Sequence, residues 1–318
     1  MMPTTSGLEF GIHAPPEGKD FDTMKRLCQT AERLNYDLFT VTDHFMNMGN
    51  PAGSQNHPLE SWSTLAGLAA VTSRIKLGPL VSCVNYRHPT VLAKMATTVD
   101  IISGGRLLFG IGAGWHEAEF DGYLGRFPSA RARLDGLEDA IQICRSMFTN
   151  EHTTFKGKIY SATNTLNSPE PTQKSIPILV GGSGEKRTLK IAAKYADMSH
   201  LFATSTDELK HKIDILKSHS NRVGRKAEIR IATGHSPIID PSPSNIKAQA
   251  ERLANIRFRG QLSLSDVERM VSKTAGPQNI IALMKDYRRL GISLVTLNIS
   301  DTEEMKSFKD QVISKLRE

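Results

Sequence analysis

A chain of 318 residues with 39% hydrophobic residues can bury a large core and has the length of one large α/β barrel, so a minimal stapled domain and a disordered chain are both excluded. Its formal charge of +7, from 40 Lys and Arg against 33 Asp and Glu, is an excess on a mixed surface; without basic runs or interleaved aromatics it speaks against nucleic-acid binding and suits a small anionic ligand. Cys28, Cys83 and Cys144 share no C-x-x-C spacing, the N-terminal MMPTTSGLEF lacks a leader pattern, and no apolar run would span a bilayer, so a cytoplasmic protein with reduced thiols and no membrane association is expected.

Strand-like and helix-like segments alternate along the chain. LEFGIH (8–13) reads as a strand, and a helix follows over 21–34 with Asp20 as its N-cap. LFTVTD (38–43) is the second strand, and 60–72 is helical. IKLGPLVS (75–82) is the third strand, after which Pro89 opens a helix to Ile102 at a position proline tolerates. RLLFGIG (106–112) is the fourth strand, followed by a long helix over 129–148. TTFKGKIYS (153–161) has two short strand-like arms around Lys156–Lys158 and reads as a hairpin insertion. IPILVGG (176–182), DMSHLFA (197–203) and AEIRIATGH (227–235) are strands five to seven, with helices over 185–195 and 206–222 between them. The stretch 236–293 is too long for one helix and forms a second insertion, with helical segments over 244–257, 264–273 and from Pro277. LVTLNIS (294–300) is strand eight, and a helix over 302–317 closes the chain. Eight strand–helix units predict a (β/α)8 TIM barrel, with insertions after the fourth and seventh units; an open doubly wound sheet is the alternative. No composition break divides the chain, so one domain over 1–318 is expected.

In such a barrel the active site lies at the C-terminal strand ends. Those positions carry His13, Asp43 and His44, Ser82 and Cys83, Gly112 to Trp115, Gly181 to Gly184, His200, His235 and Asn298. Lone histidines are often satisfied by nearby carbonyls, which is the plainer reading of His13, His200 and His235. Asp43 has a plainer reading as an N-cap. FGIGAGW places Gly110, Gly112 and Gly114 together, but Trp115 stands where a dinucleotide fingerprint would continue, so a Rossmann site is rejected. Glycines there are expected to let a flat ring approach the backbone. VGGSGEKRTL puts Gly181, Gly182, Ser183 and Gly184 before a helix, where exposed N–H groups and the helix dipole favour a phosphate; the plainer reading is a tight turn. No set of His, Cys and carboxylates has metal-ligand spacing, and no metal is expected.

The segments TVTDHF, IKLGPLVSCVNYRHPTVLAKMATTVDIISGGRLLFGIGAGWHEAEF, TFKGKIY and ILVGGSGEKRTLKIAAKYAD resemble the bacterial-luciferase-like superfamily, and more closely its branch of oxidoreductases using the 5-deazaflavin coenzyme F420. The resemblance implies a barrel with the deazaflavin across its C-terminal mouth. It implies a non-proline cis peptide at Leu80–Val81, followed by Ser82, as a bulge against the ring face. The ring edge is implied at Asp43 and His44, the glycine lip at Gly112, Ala113, Gly114 and Trp115, and the phosphate at Gly181–Gly184. It also implies a homodimer. Where sugar-phosphate dehydrogenases of the family place a catalytic Glu, this chain carries Trp115, with His116 and Glu117 following.

Hydride transfer between the deazaflavin C5 and a small organic substrate is the leading expectation. His44 is the expected proton donor or acceptor, with Asp43 binding the ring or orienting His44, and with His13, Trp115 and His200 around the substrate. A reduced-FMN monooxygenase and a non-catalytic flavin- or deazaflavin-binding protein are the alternatives.

Overall fold

The structure, a computed structural model, describes residues 7–50, 52–53, 55–255 and 262–317. Its main sheet has nine strands in the order β3-β2-β1-β11-β10-β9-β8-β5-β4, and every pairing in it is parallel. The strands are β1 Glu9–His13, β2 Leu38–Val41, β3 Lys76–Pro79, β4 Ser82–Cys83, β5 Phe109–Gly112, β8 Ile178–Gly181, β9 Met198–Leu201, β10 Arg230–His235 and β11 Ile292–Leu297. A bridge between Leu77 and Leu107 joins β3 to the approach to β5, so the sheet returns on itself. The expected third strand is split: β3 and β4 are its two halves, separated by Leu80 and Val81, whose peptide bond is cis. Counted this way the barrel has the eight strand positions that the alternation of segments predicts.

The helices begin where local chemistry satisfies their first N–H groups. Asp20 accepts from the Thr23 N–H at 2.8 Å and caps α1, Phe21–Arg33. Helix α2 is Ser61–Ala70, and Pro89 is the first residue of α3, Pro89–Ser103. A single turn α4, Glu117–Glu119, precedes a π turn over Phe120–Leu124; Ser129 then caps α5, Ala130–Thr149, accepting from the Ala132 N–H at 3.2 Å. The hairpin insertion is larger than expected, with β6 His152–Lys156 antiparallel to β7 Ser161–Leu166. Helix α6, Thr188–Tyr195, starts three residues later than expected, because 185–187 form a turn. Helix α7 is Thr206–Arg222. The second insertion holds α8 Pro243–Leu253, α9 Leu264–Ser272 and α10 Pro277–Arg289; positions 256 and 257 of the expected first helix lie outside the described residues. The last expected helix is interrupted by a π turn at Lys309–Ile313 between α11 Thr302–Phe308 and α12 Ser314–Arg317.

Two apolar layers hold the barrel. A large cluster, including Ile12, Phe39, Trp62, Leu77, Phe109 and Ile178, fills the space between strands and helices. A second cluster takes Leu38, Leu179, Met198, Ala232 and Leu294 from five strands, with Leu108 just before β5, and fills the barrel interior. Leu80 and Val81 pack on that inner cluster. The interruption of the third strand therefore lays an apolar lid over the interior at the end where the strands finish.

Candidate functional site

A cavity of about 280 Å³ opens above this lid, lined by Asp43, His44, Leu80, Val81, Ser82, Gly112, Ala113, Gly114, Trp115, Gly181 and Gly182. These residues come from the ends of β2, β4, β5 and β8, as the barrel rule requires. Cys83, expected at the rim, also lines it; Tyr86, Thr188 and Phe202 line it too and were not singled out by the sequence. Burial pushes the Cys83 thiol up to about 12, so it faces the cavity neutral and is no nucleophile.

The glycines serve the bulge first. A Cβ on Gly112 would stand 2.7 Å from Val81 Cγ2, and one on Gly181 would stand 2.8 Å from Val81 Cγ1. Both glycines thus make room for the Val81 side chain.

Asp43 is buried and its carboxylate is fully occupied. Arg87 donates to it from both terminal nitrogens, at 2.8 and 3.0 Å, and also to Glu60. Ser82 Oγ–H donates at 2.7 Å and the Cys83 N–H at 3.1 Å, while Trp62 Nε1–H donates to Ser82 Oγ at 3.1 Å. Asp43 therefore ties β2 to the residues immediately after the cis peptide. The bidentate geometry is the strong form of an Arg–carboxylate pair.

His44 has different company. Its Nδ1 lies 2.8 Å from Glu119 Oε2, so Glu119, and not Asp43, orients the imidazole. Glu119 side-chain exposure is 0%. It also accepts from the Phe45 N–H at 2.7 Å, the Met46 N–H at 2.9 Å and the Tyr86 hydroxyl. Burial by itself raises the Glu119 carboxyl, but these donors outweigh it and hold the group below its ordinary value. An ionised Glu119 accepts from Nδ1–H and so orients the imidazole. Nε2 makes no hydrogen bond among the described residues. The Trp115 ring stands edge-on to His44 at 5.5 Å and is 42% exposed, and the His116 ring lies 5.7 Å from His44.

The remaining expected site residues lie elsewhere. His200 belongs to the barrel interior: it is fully buried, faces the same way as Met198 two residues before it, and its Nε2 is 2.9 Å from Thr296 Oγ1. It does not line the cavity, which corrects its expected place around a substrate. His13 does not line it either; its Nδ1 is 2.9 Å from Thr40 Oγ1, and burial, then Arg252, His44 and Lys19, lower it to about 4. His235 faces a separate cavity of about 610 Å³ beside the second insertion, and burial lowers it to about 4. Ser183 does not line the cavity; its Oγ accepts from the Phe202 N–H at 2.7 Å. Gly184 lines a shallow groove next to the cavity, which Thr188 shares, and no side chain caps the N-terminus of α6. Among the described residues no three His, Cys, Asp or Glu side chains come together to hold a metal ion, and no helix is long and apolar enough to cross a membrane.

A parallel barrel with a cavity at its strand ends, floored by an interrupted third strand and walled by a His that a buried Glu holds, is the architecture of an enzyme of the barrel class. The profile of the luciferase-like monooxygenase family matches residues 4–293, and the chain belongs to that family. Pyrimidine monooxygenase RutA of Shigella flexneri is 31% identical over 201 residues, which are 62% of this chain and 51% of the relative. RutA of Escherichia coli (strain SMS-3-5 / SECEC) is 30% identical over 201 residues, 62% of this chain and 54% of the relative. The chain thus spans about half the length of the curated relatives it matches. Among solved structures, an F420-dependent secondary alcohol dehydrogenase in complex with an F420-acetone adduct superposes with a TM-score of 0.82 at 19% identity, over 98% of this chain and 99% of that one. The long-chain alkane monooxygenase LadA superposes with a TM-score of 0.80 at 14% identity, over 99% and 92%. At these identities the superpositions report the shared fold.

Proposed function

We propose that the protein is an oxidoreductase that transfers a hydride between coenzyme F420 and a small organic substrate. The observation that carries this reading is the His44–Glu119 pair on the wall of the cavity, with Nε2 free to exchange a proton. The residues present fit a flat ring with a phosphate: Leu80 and Val81 offer an apolar floor, and the uncapped N-terminus of α6 beside Gly182 and Gly184 suits an anion. When bound, the deazaflavin supplies the hydride donor or acceptor at its C5.

The protein's own residues do the rest. Asp43, Arg87 and Ser82 hold the floor in place. Glu119 holds Nδ1–H of His44, so that Nε2 gives a proton to, or takes one from, the oxygen or nitrogen of the substrate as hydride moves. Trp115 narrows the entrance and helps exclude water. We read the loop Gly181–Gly184 as the phosphate cradle, with Thr188 of α6 beside it.

A second reading, a monooxygenase using reduced FMN, is favoured by the identity to the two pyrimidine monooxygenases. Anaerobic titration of the full chain with each cofactor separates the two. Tight binding of the deazaflavin with weak binding of FMN is expected. Tight FMN binding with none for the deazaflavin would sink the first reading and support the second.

A further inference from the structure

The cavity does not end at the glycine loop. Thr188 lines both the cavity and the shallow groove past Gly184, Glu185, Lys186 and Arg187. Leu134, Lys186 and Arg187 in turn line a wider groove of about 680 Å³ between α5 and α6. One track therefore leads from the floor formed by Val81, past the phosphate cradle, to the outer surface of the barrel.

The far end of that track is basic. Arg131, Lys158, Lys186, Arg187, Lys190 and Lys194 face it, against the two carboxylates of Asp135 and Glu138. Asp135 is taken by Arg187 at 2.7 Å and Lys158 at 3.4 Å, and Glu138 by Lys194 at 3.7 Å. Lys186 and Lys190 are exposed and make no ion pair among the described residues. Lys190 and Lys194 stand four residues apart on α6, so they share a face, and like charges at that spacing repel; Lys186 lies in the turn just before the helix. Lys186, Arg187 and Lys190 also crowd the N-terminal end of α6, where the helix dipole disfavours cations, and its first turn holds no acidic residue. The arrangement works against the helix unless an anion lies along it.

We propose that this groove holds the chain of glutamate carboxylates that coenzyme F420 carries beyond its phosphate and that FMN lacks. The inference rests on the F420 reading above. The eight residues of α6 rise about 12 Å, which accommodates two or three extended glutamyl units. The groove selects the deazaflavin by its tail, while the cavity takes a flat ring of the kind both cofactors carry.

The test is anaerobic binding to the full chain of deazaflavin forms that keep the phosphate but carry zero, two or five glutamates, at low and high salt. Two glutamates are expected to tighten binding about tenfold at low salt, with little further gain at five, and the gain fades as salt screens the groove. The double variant Lys190→Glu/Lys194→Glu is expected to lose the gain and to bind the glutamate-free form as the wild type does. Lys190→Gln, which only removes a charge, should lose part of it and guards against a misfolded double variant. Equal affinity for all tail lengths, or a gain that survives charge reversal, overturns the inference alone. Failure to bind even the glutamate-free phosphate form overturns the F420 reading as well.

Discussion

Asp43 and His44 are neighbours in sequence and live in opposite surroundings. Asp43 is sealed in, and each of its partners, Arg87, Ser82 and the Cys83 N–H, stabilises the interrupted third strand. His44 uses one nitrogen to reach Glu119 and leaves the other in the cavity. Successive side chains at a strand end point to opposite sides, so one backbone step separates a group that fixes the floor from a group able to do chemistry on it. The two therefore differ in what they should respond to: Asp43 and its partners should govern stability, and His44 and its partner should govern turnover.

The largest expected effect is on turnover. His44→Asn removes the proton donor or acceptor and is expected to lower turnover roughly 10²–10⁴-fold, with cofactor affinity and stability changed far less. Steady-state kinetics beside cofactor titration reads the split. Unchanged turnover would leave the pair a ring-edge contact and remove the distinction drawn here. Next comes Arg87→Met, which deprives a fully buried carboxylate of its counter-ion and is expected to cost about 3–5 kcal/mol in urea unfolding. A loss below about 1 kcal/mol, a normal surface-pair value, would mean that Ser82 and Cys83 suffice to hold Asp43.

The outline of this site was legible in the sequence because it is made of strand ends. Alternating segments located the strands within about three residues, and the barrel rule then converged 43–44, 80–82, 112–115 and 181–182 on one cavity, where the structure has them. The pairing of side chains was not legible. Glu119 lies 75 positions from His44, and Glu117 two residues earlier offered an equal claim. Only the tight turn of α4 decides between them, burying Glu119 and leaving Glu117 exposed. Arg87, 44 positions from Asp43, carried no motif at all. His200 misled for a related reason. It stands at a strand end, but its side-chain parity is that of the barrel interior, where it meets Thr296. A check of parity against Met198 would have turned it inward.

The smallest expected effect sharpens the Glu119 side of the comparison through its pH dependence. Four donors hold the Glu119 carboxylate below its ordinary value of 4.5, and the Tyr86 hydroxyl is one of them. A group depressed on folding contributes stability that is fully present above its unfolded value and is lost as pH falls through its folded value. Tyr86→Phe deletes one donor to an ionised acceptor, so at pH 7 it is expected to cost roughly 1–2 kcal/mol. Below about pH 4.5 the wild-type carboxylate also gives up its advantage as it takes a proton, and the gap between the two proteins should narrow. Urea midpoints at neutral and acid pH measure that gap. A gap that stayed constant with pH would mean that Tyr86 contributes by packing against Phe45 and Phe120, its ring neighbours at 4.7 and 5.3 Å, and that the hydroxyl does not tune Glu119.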